Sequence, residues 1–217
     1  MLDTLTTELE NDVIFGVYAP GSRIIEDRVM ERYGAKRHAV RNAFAELEAR
    51  GLLVRRPNRG VEVVDFTPDD VDALYDLRII LETAAAERTT LPCDPKIAAK
   101  LDDIAQQHAK AVSDQDFRAV FWLNQEFHEV QYSCCGNPRL AGLIGKYARA
   151  AQPIRVVKYD DAEHMDQVVS QHLDIIAALR GTSKDALVAA VRAHLPASAE
   201  AYRTLYNRRF GARAQTA

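Results

Sequence analysis

The chain has 217 residues, of which 47% are hydrophobic and 27% charged, the composition of an ordinary globular protein. Three cysteines, two of them adjacent at Cys134 and Cys135, provide neither a disulfide framework nor a CxxC metal motif. The sequence contains no run of about 20 apolar residues and no recognisable signal sequence at its start. We therefore expect a reduced, cytoplasmic protein that does not enter a membrane.

The distribution of charge is more informative than its total. The formal net charge is −3, which by itself gives no indication of nucleic-acid binding. Between Arg28 and Arg59, however, nine Lys and Arg residues outnumber three acids, and the remainder of the chain is correspondingly acidic. Positive potential is thus concentrated on one part of the chain.

The N-terminal region predicts two helices separated by an extended segment. Residues 2–15 carry Leu and Val at helical spacing, and the Pro-Gly pair that follows favours a turn. Residues 22–25 form an extended lead into a second helix, Glu26–Tyr33, which Gly34 can close in a left-handed conformation.

The next helix has two different sides. Val40, Phe44 and Leu47 share one face, at the spacing of a buried helical stripe. A short helix with an apolar back and a basic first turn suits insertion into a DNA major groove, although a solvated basic helix end is the alternative. The outward, basic residues at its N-terminal end are Lys36, Arg37, His38 and Arg41.

A β-hairpin is predicted directly after this helix. Residues 52–55 and 61–64 are rich in β-formers and flank a turn that contains Pro, Asn and Gly. Two helices, a recognition helix and a hairpin make a winged helix. The wing would place Arg59 and Gly60 near a minor groove or the flanking phosphates.

A domain boundary is predicted near Thr67, which can cap a new helix with Pro68 at its first position. The fold class is then mainly α: a winged helix-turn-helix over 1–66, an all-α helical bundle over 67–210 and a frayed tail over 211–217. Pro196 predicts a kink or break inside the last helix. The helical segments expected in the bundle are about 69–91, 95–113, 115–133, 137–150, 152–160, 163–180 and 184–208.

Three of the six histidines are placed so that they could meet. Asn124 and His128 are four residues apart and share a helix face, while His172 and His194 lie at similar distances from the turn at 181–183. Three imidazoles and an amide oxygen in a bundle core could hold Zn²⁺, or else Ni²⁺ or Mn²⁺. The alternative is a set of hydrogen-bonded core histidines. An amide in place of a carboxylate lowers the charge of the site and should weaken metal binding.

Arg78 is a cation within an amphipathic helical segment. It could form a surface salt bridge with Glu82, four residues further on, or it could point inward and bind an anionic ligand beside the metal. Arg149 and Arg155 are further candidates for the second role.

The chain resembles the GntR family of bacterial transcription regulators, in the FadR-like subgroup with an FCD-type C-terminal domain. Nearly the whole chain carries the resemblance. The resemblance implies a homodimer bound to a palindromic double-stranded operator, a small organic acid as effector and, in most such proteins, repression. The segments that match are GVYAPG (16–21), GAKRHAVRNAF (34–44), LEARGLL (47–53), PNRGVEV (57–63), DLRIILE (76–82), NQEFH (124–128), GNPRL (136–140), QHLDIIAAL (171–179) and VRAHL (191–195).

The resemblance also assigns individual residues. The DNA-contacting arginines of the family fall on Arg37 and Arg41, its wing glycine falls on Gly60, and Asp27 stands where some members have a basic residue. The family's metal ligands, an Asp and three His, fall on Asn124, His128, His172 and His194, so the first ligand departs from the pattern. The bundle is thereby expected to bind the effector and to mediate dimerisation.

Two other functions are compatible with the sequence. A metal-dependent enzyme could use His128, His172 and His194 with an open coordination position, although Glu126 is the only evident nearby base and points away from His128. Alternatively, the bundle could be a dimerising scaffold whose histidines are structural.

Overall fold

A computed structural model of the chain describes the backbone of residues 2–210 and the side chains of residues 4–208. The predicted tail over 211–217 lies outside the described residues. The elements are α1 Leu2–Ile14, β1 Arg23–Ile24, α2 Glu26–Tyr33, α3 Arg37–Ala49, β2 Leu53–Arg56, β3 Gly60–Val63, α4 Pro68–Arg88, α5 Pro95–Ser113, α6 Phe117–Ser133, α7 Pro138–Ala150, α8 Gln152–Arg155, a 3₁₀ turn Val156–Lys158, α9 Ala162–Arg180, α10 Lys184–His194 and α11 Pro196–Phe210.

The N-terminal part is a winged helix-turn-helix, as the sequence predicts. The apolar face of α3 packs into a core shared with α1, α2 and the sheet, and Val40, Phe44 and Leu47 are fully buried there. Gly34 ends α2 with φ of 60°, the left-handed closure that its position indicates. The hydrophobic stripe of α3 therefore orients its basic side outward.

The wing is part of a three-stranded antiparallel sheet in the order β1-β3-β2. The β2–β3 hairpin is the predicted one, and its turn contains Asn58 with φ of 62° and leads to Gly60 with φ of 83°. The third strand, β1, pairs Arg23 with Glu62 and Ile24 with Val61. Two residues are too few to carry a strand signal, so only the tertiary pairing defines β1.

The C-terminal part is an all-α bundle, also as predicted. Its main core contains fully buried Leu101, Phe127 and Ile175, and no helix of residues 2–210 combines the length and apolar character needed to cross a lipid bilayer. The break predicted at Pro196 separates α10 from α11. The helix expected over 152–160 was wrong in part, because the chain forms only the four-residue α8 and the 3₁₀ turn there.

The two parts are in direct contact. Thr67 caps α4 in a capping box with Asp70, as its position before Pro68 predicts. Phe121 of α6 is fully buried in the winged-helix core, where its ring meets that of Phe15 edge to face at 5.7 Å between centroids. A displacement of α6 would therefore shift α1, and through α1 it would shift α3, which packs against it.

Candidate functional site

The first turn of α3 forms a basic surface. Lys36, Arg37, His38 and Arg41 are all exposed, as the sequence predicts. Among the described side chains none caps the start of α3, so the first backbone N–H groups of the helix remain open to an acceptor such as phosphate. The arrangement suits a recognition helix that enters a major groove by its N-terminal end.

Carboxylates of α2 hold the two arginines of this surface in different ways. Arg41 donates to Glu26 with its Nε alone, at 3.1 and 3.2 Å to the two carboxylate oxygens, which leaves the terminal nitrogens of Arg41 without a partner among the described residues. Arg37 instead donates with both terminal nitrogens, to Glu26 at 3.3 Å and to Asp27 at 2.6 Å. Arg41 can thus offer a bidentate donor pair to a guanine, whereas Arg37 must first leave its carboxylates.

The wing carries the other two predicted DNA-binding residues. Arg59 is exposed and its Nε lies 3.0 Å from Glu62, a buried acid of β3. Gly60 needs its positive φ of 83°, and a Cβ built there would lie 3.4 Å from Nε of Arg23. The turn therefore keeps a narrow, basic tip.

His128, His172 and His194 converge in the bundle, on α6, α9 and α10. One ring nitrogen from each lies within 4.8 Å of the other two. The Nε2 atoms of His128 and His194 are 3.0 Å apart. A tetrahedral Zn²⁺ site with Zn–N bonds near 2.1 Å has ligand nitrogens about 3.4 Å apart. To hold such an ion, the His128–His194 pair would open slightly, and any pair further apart than this would close.

Two glutamines orient the rings of this cluster. Gln171 donates to the backbone oxygen of Ala193 at 3.2 Å, so its own oxygen faces Nδ1 of His194, 3.0 Å away. The oxygen of Gln131 lies 2.9 Å from Nδ1 of His128. With Nδ1 protonated in both rings, the two facing Nε2 atoms carry lone pairs, an arrangement that a bound cation stabilises.

The histidines are held in the form that binds metals. Burial and the positive charges nearby lower the pKa of His128 and of His172 well below its usual value. Burial, with Arg155 and Arg78, lowers the pKa of His194 to about 3. Neutral imidazole is the metal-ligating form, so the residues present fit a divalent ion.

Asn124 lies between the cluster and Arg155. With its amide oriented to satisfy both neighbours, the nitrogen donates to Nε2 of His172 at 3.2 Å and the oxygen accepts from both terminal nitrogens of Arg155 at 3.3 Å. Its role as a metal ligand stays a prediction, and in this orientation the amide oxygen faces the arginine.

Beside the histidines lies a small cavity of about 30 Å³, lined by Arg78, His108, Asn124, Arg155, His164 and His194 among others. Such a volume holds about two water molecules. Arg78 is buried, as the inward alternative requires, but it also donates to Glu82 at 2.9 Å and stacks on Tyr75. The pair with Glu82 therefore exists but is buried rather than at the surface, and the binding of an anionic ligand by Arg78 stays a prediction.

Several residues of this site carry weak sequence signals. His108 continues the buried stripe of Leu101, Ile104 and Ala105 at helical spacing, and this spacing is the sequence signal that predicts a buried position for His108. Arg155 lies in a stretch of short helical turns, which is too short for hydrophobic periodicity to predict whether its side chain points into the core or toward solvent. Glu126, the candidate general base of the enzyme alternative, is exposed and pairs with Lys100 at 3.2 Å.

Comparison with known proteins matches both parts of the chain. The description "Bacterial regulatory proteins, gntR family" fits residues 3–63, and the FCD domain fits residues 73–197. The transcriptional repressor RspR of Escherichia coli is 26% identical over 197 residues, covering 91% of this chain and 86% of RspR. The regulator YdhC of Bacillus subtilis is 27% identical over 188 residues, covering 86% of this chain and 84% of YdhC.

Solved structures share the fold. Escherichia coli McbR/YncC aligns with a TM-score of 0.76 at 19% identity, over 95% of this chain and 98% of that one. A GntR regulator from Rhodococcus aligns with a TM-score of 0.76 at 23% identity, over 92% and 96% of the two chains.

Proposed function

Because the chain belongs to the GntR family of DNA-binding bacterial transcription regulators and carries an FCD ligand-binding domain, we propose that it regulates transcription in response to a metabolite. We further propose that it is a repressor and that its FCD domain contains a metal ion. It binds a palindromic operator as a cytoplasmic homodimer. The DNA-binding domain spans 1–66, and the effector-binding and dimerisation domain spans 67–210. The observation that carries the proposal is the pairing, in one chain, of an exposed basic recognition turn with three convergent buried histidines.

The DNA-binding part of the proposal rests on the recognition turn and the wing. Lys36, Arg37, His38 and Arg41 enter the major groove, while Arg59 and Gly60 approach the adjacent backbone or minor groove. In a dimer, two such helices occupy successive major grooves about 34 Å apart. The name of RspR as a repressor supports the sign of regulation.

The sensing part rests on the bundle. His128, His172 and His194 hold a divalent ion, for which Zn²⁺ suits the all-nitrogen donor set best and Ni²⁺ or Mn²⁺ are alternatives. We keep Asn124 as the candidate fourth ligand and Arg78 as the candidate effector-binding residue. A carboxylate effector that prefers one arrangement of the bundle would change DNA affinity through α6 and Phe121, typically by about 1–3 kcal/mol.

The test is a DNA-binding titration of the purified chain. DNA from upstream of its own gene, labelled with a fluorophore, is titrated by anisotropy with and without Zn²⁺ and a panel of organic acids. We expect the protein to bind this DNA saturably, and we expect one of the organic acids to weaken DNA binding only when the protein is loaded with metal. Binding that matches random DNA in affinity and salt dependence would refute operator recognition. If denaturation of the purified protein with mineral acid releases no metal ion, the metal site is refuted.

A further inference from the structure

A second cavity lies where the winged helix meets the bundle. Its volume is about 430 Å³, within the size range of small-molecule sites, and it is therefore far larger than the cavity beside the histidines. The end of α1 and strand β3 form one part of its lining, and α6, the turns that follow α8 and α11 form the rest. A molecule with one or two rings in this cavity would contact both parts of the chain at once.

Aromatic rings make up much of this lining. The rings belong to Phe15, Phe117, Tyr159, Tyr202 and Tyr206. The guanidinium carbon of Arg118, from outside the cavity, already lies 5.7 Å from the centre of the Phe15 ring. The faces of aromatic rings attract cations at such distances, so this lining suits a positively charged group as well as an apolar one.

The charged groups of the lining are carboxylates. Asp65, in the linker before α4, and Asp160, before α9, both line the cavity, and none of the described residues that line it is Lys, Arg or His. Neither carboxylate forms a salt bridge with a described residue, and the neighbouring Lys158 pairs with Asp161 at 3.2 Å. The cavity therefore favours a cation, whereas the small cavity beside the histidines is lined by arginines.

The position of the cavity connects it to the DNA-binding part. Val156 and Tyr159 follow α8 in the chain, yet they pack against the hydrophobic core of the winged helix. Val63, at the end of β3, lines the same space from the other side of the junction. The shape of the cavity thus depends on how the winged helix sits on the bundle. A ligand that prefers one arrangement shifts the population toward it.

We propose that this cavity binds a protonated aromatic amine, and that its occupancy sets the position of the winged helix relative to the bundle. The rings of the lining contact the aromatic body of the ligand. Asp65 and Asp160 supply the charge that its ammonium group requires. The site involves no metal ion. Only its effect on DNA affinity rests on the proposed function.

The test compares three compounds of similar shape and different charge. The metal-free full chain is titrated by calorimetry with 2-phenylethylamine, 2-phenylethanol and 3-phenylpropanoate. We expect the amine to bind about tenfold more tightly than the alcohol and the carboxylate to bind most weakly. Equal affinity for amine and alcohol would overturn the charge assignment, and no binding of any of the three would overturn the site. Addition of Zn²⁺ should leave the amine affinity unchanged, because a dependence on Zn²⁺ would place the amine at the histidines.

Variants of the lining locate the bound amine. D65N and D160N should each weaken amine binding about threefold and leave alcohol binding unchanged. L205K places a cation at a half-exposed position of the lining, so it should reverse the preference from the amine to the carboxylate. D76N, which removes an exposed acid of α4 outside the lining, is the matched control. Wild-type amine affinity in both D65N and D160N would refute the role of these carboxylates.

The effect on DNA is measured separately. DNA from upstream of the gene is titrated with and without saturating 2-phenylethylamine, and we expect its affinity to change by about threefold or more. The amine affinity should then change by the same factor when DNA is bound, because coupling between two sites is reciprocal. An unchanged DNA affinity would overturn the coupling. The amine titrations require no DNA, so a failure of the proposed operator binding would not affect them.

Discussion

The arginines of the recognition surface and the arginine of the bundle cavity are paired in opposite ways. Arg37 and Arg41 have side chains that are 52% and 63% exposed, yet each contacts a carboxylate of α2. Arg155 is buried and has no carboxylate partner among the described residues. Water makes an unpaired surface arginine inexpensive, so pairing there chiefly sets geometry. In the core, where water does not compensate the charge, the same lack of a partner costs free energy.

The largest effect should follow from creating a second unpaired arginine in the core. The E82Q variant keeps the shape of the side chain but removes the charge that Arg78 contacts. We expect a loss of about 3–5 kcal/mol in unfolding free energy, measured by urea denaturation of the metal-free protein.

Two controls frame this prediction. E46Q breaks the exposed pair with Arg50 and should cost under about 1 kcal/mol. R155Q removes a cation that is already unpaired, so it should cost far less than E82Q or even stabilise the chain. A loss for R155Q as large as that for E82Q would mean that Arg155 has a protein partner in solution.

Acid should destabilise the core through its histidines. Burial, with Arg155, lowers the pKa of His108 to about 4, and burial lowers the pKa of His194 to about 3. Because both fold as neutral rings, their contribution is complete above about pH 6.5 and is lost as the pH falls toward these values, by about 1.4 kcal/mol per pH unit for each. Thermal unfolding of the metal-free protein from pH 7.5 to 5 measures this slope.

The H108F variant sharpens the pH prediction. An aromatic ring that cannot be protonated should flatten the decline in melting temperature below pH 6.5, because one of the two histidines no longer takes up a proton on unfolding. An unchanged pH slope would show that His108 is already protonated, or exposed, in the folded protein.

On the recognition surface, R41A should remove operator reading and leave the fold intact. Loss of a bidentate base contact costs about 1–3 kcal/mol per half-site. We expect the operator affinity measured by anisotropy to approach that for random DNA, with an unchanged melting temperature. R192A, on the bundle, is the matched control, and an R41A variant with wild-type operator affinity would refute the role of Arg41.

The smallest effect is expected for D27N. Asp27 holds one terminal nitrogen of Arg37 at 2.6 Å, and its removal frees a cation for phosphate. We expect DNA affinity to rise less than tenfold, on operator and random DNA alike, with a steeper dependence on salt concentration. A rise restricted to the operator would instead assign Asp27 a part in base recognition.

Most of the fold could be predicted from the hydrophobic periodicity of the sequence and from its proline and glycine positions. The stripe of Val40, Phe44 and Leu47 oriented α3, and Pro196 marked the break before α11. The two-residue strand β1 and the short turns around Arg155 were not readable, because neither has the length over which periodicity accumulates. The meeting of His172 and His194, with ring centroids 5.1 Å apart, followed from their matched distances to a turn.

The sequence alone determined the longer helices and the hairpin, the outward basic turn of α3 and the three histidines that could meet, since each of these follows from spacing along one helix or across one turn. Only the tertiary structure decided which charges are compensated. Among the described residues Arg78 has an acid beside it and Arg155 has none, and this difference depends on how α4, α6 and α8 pack.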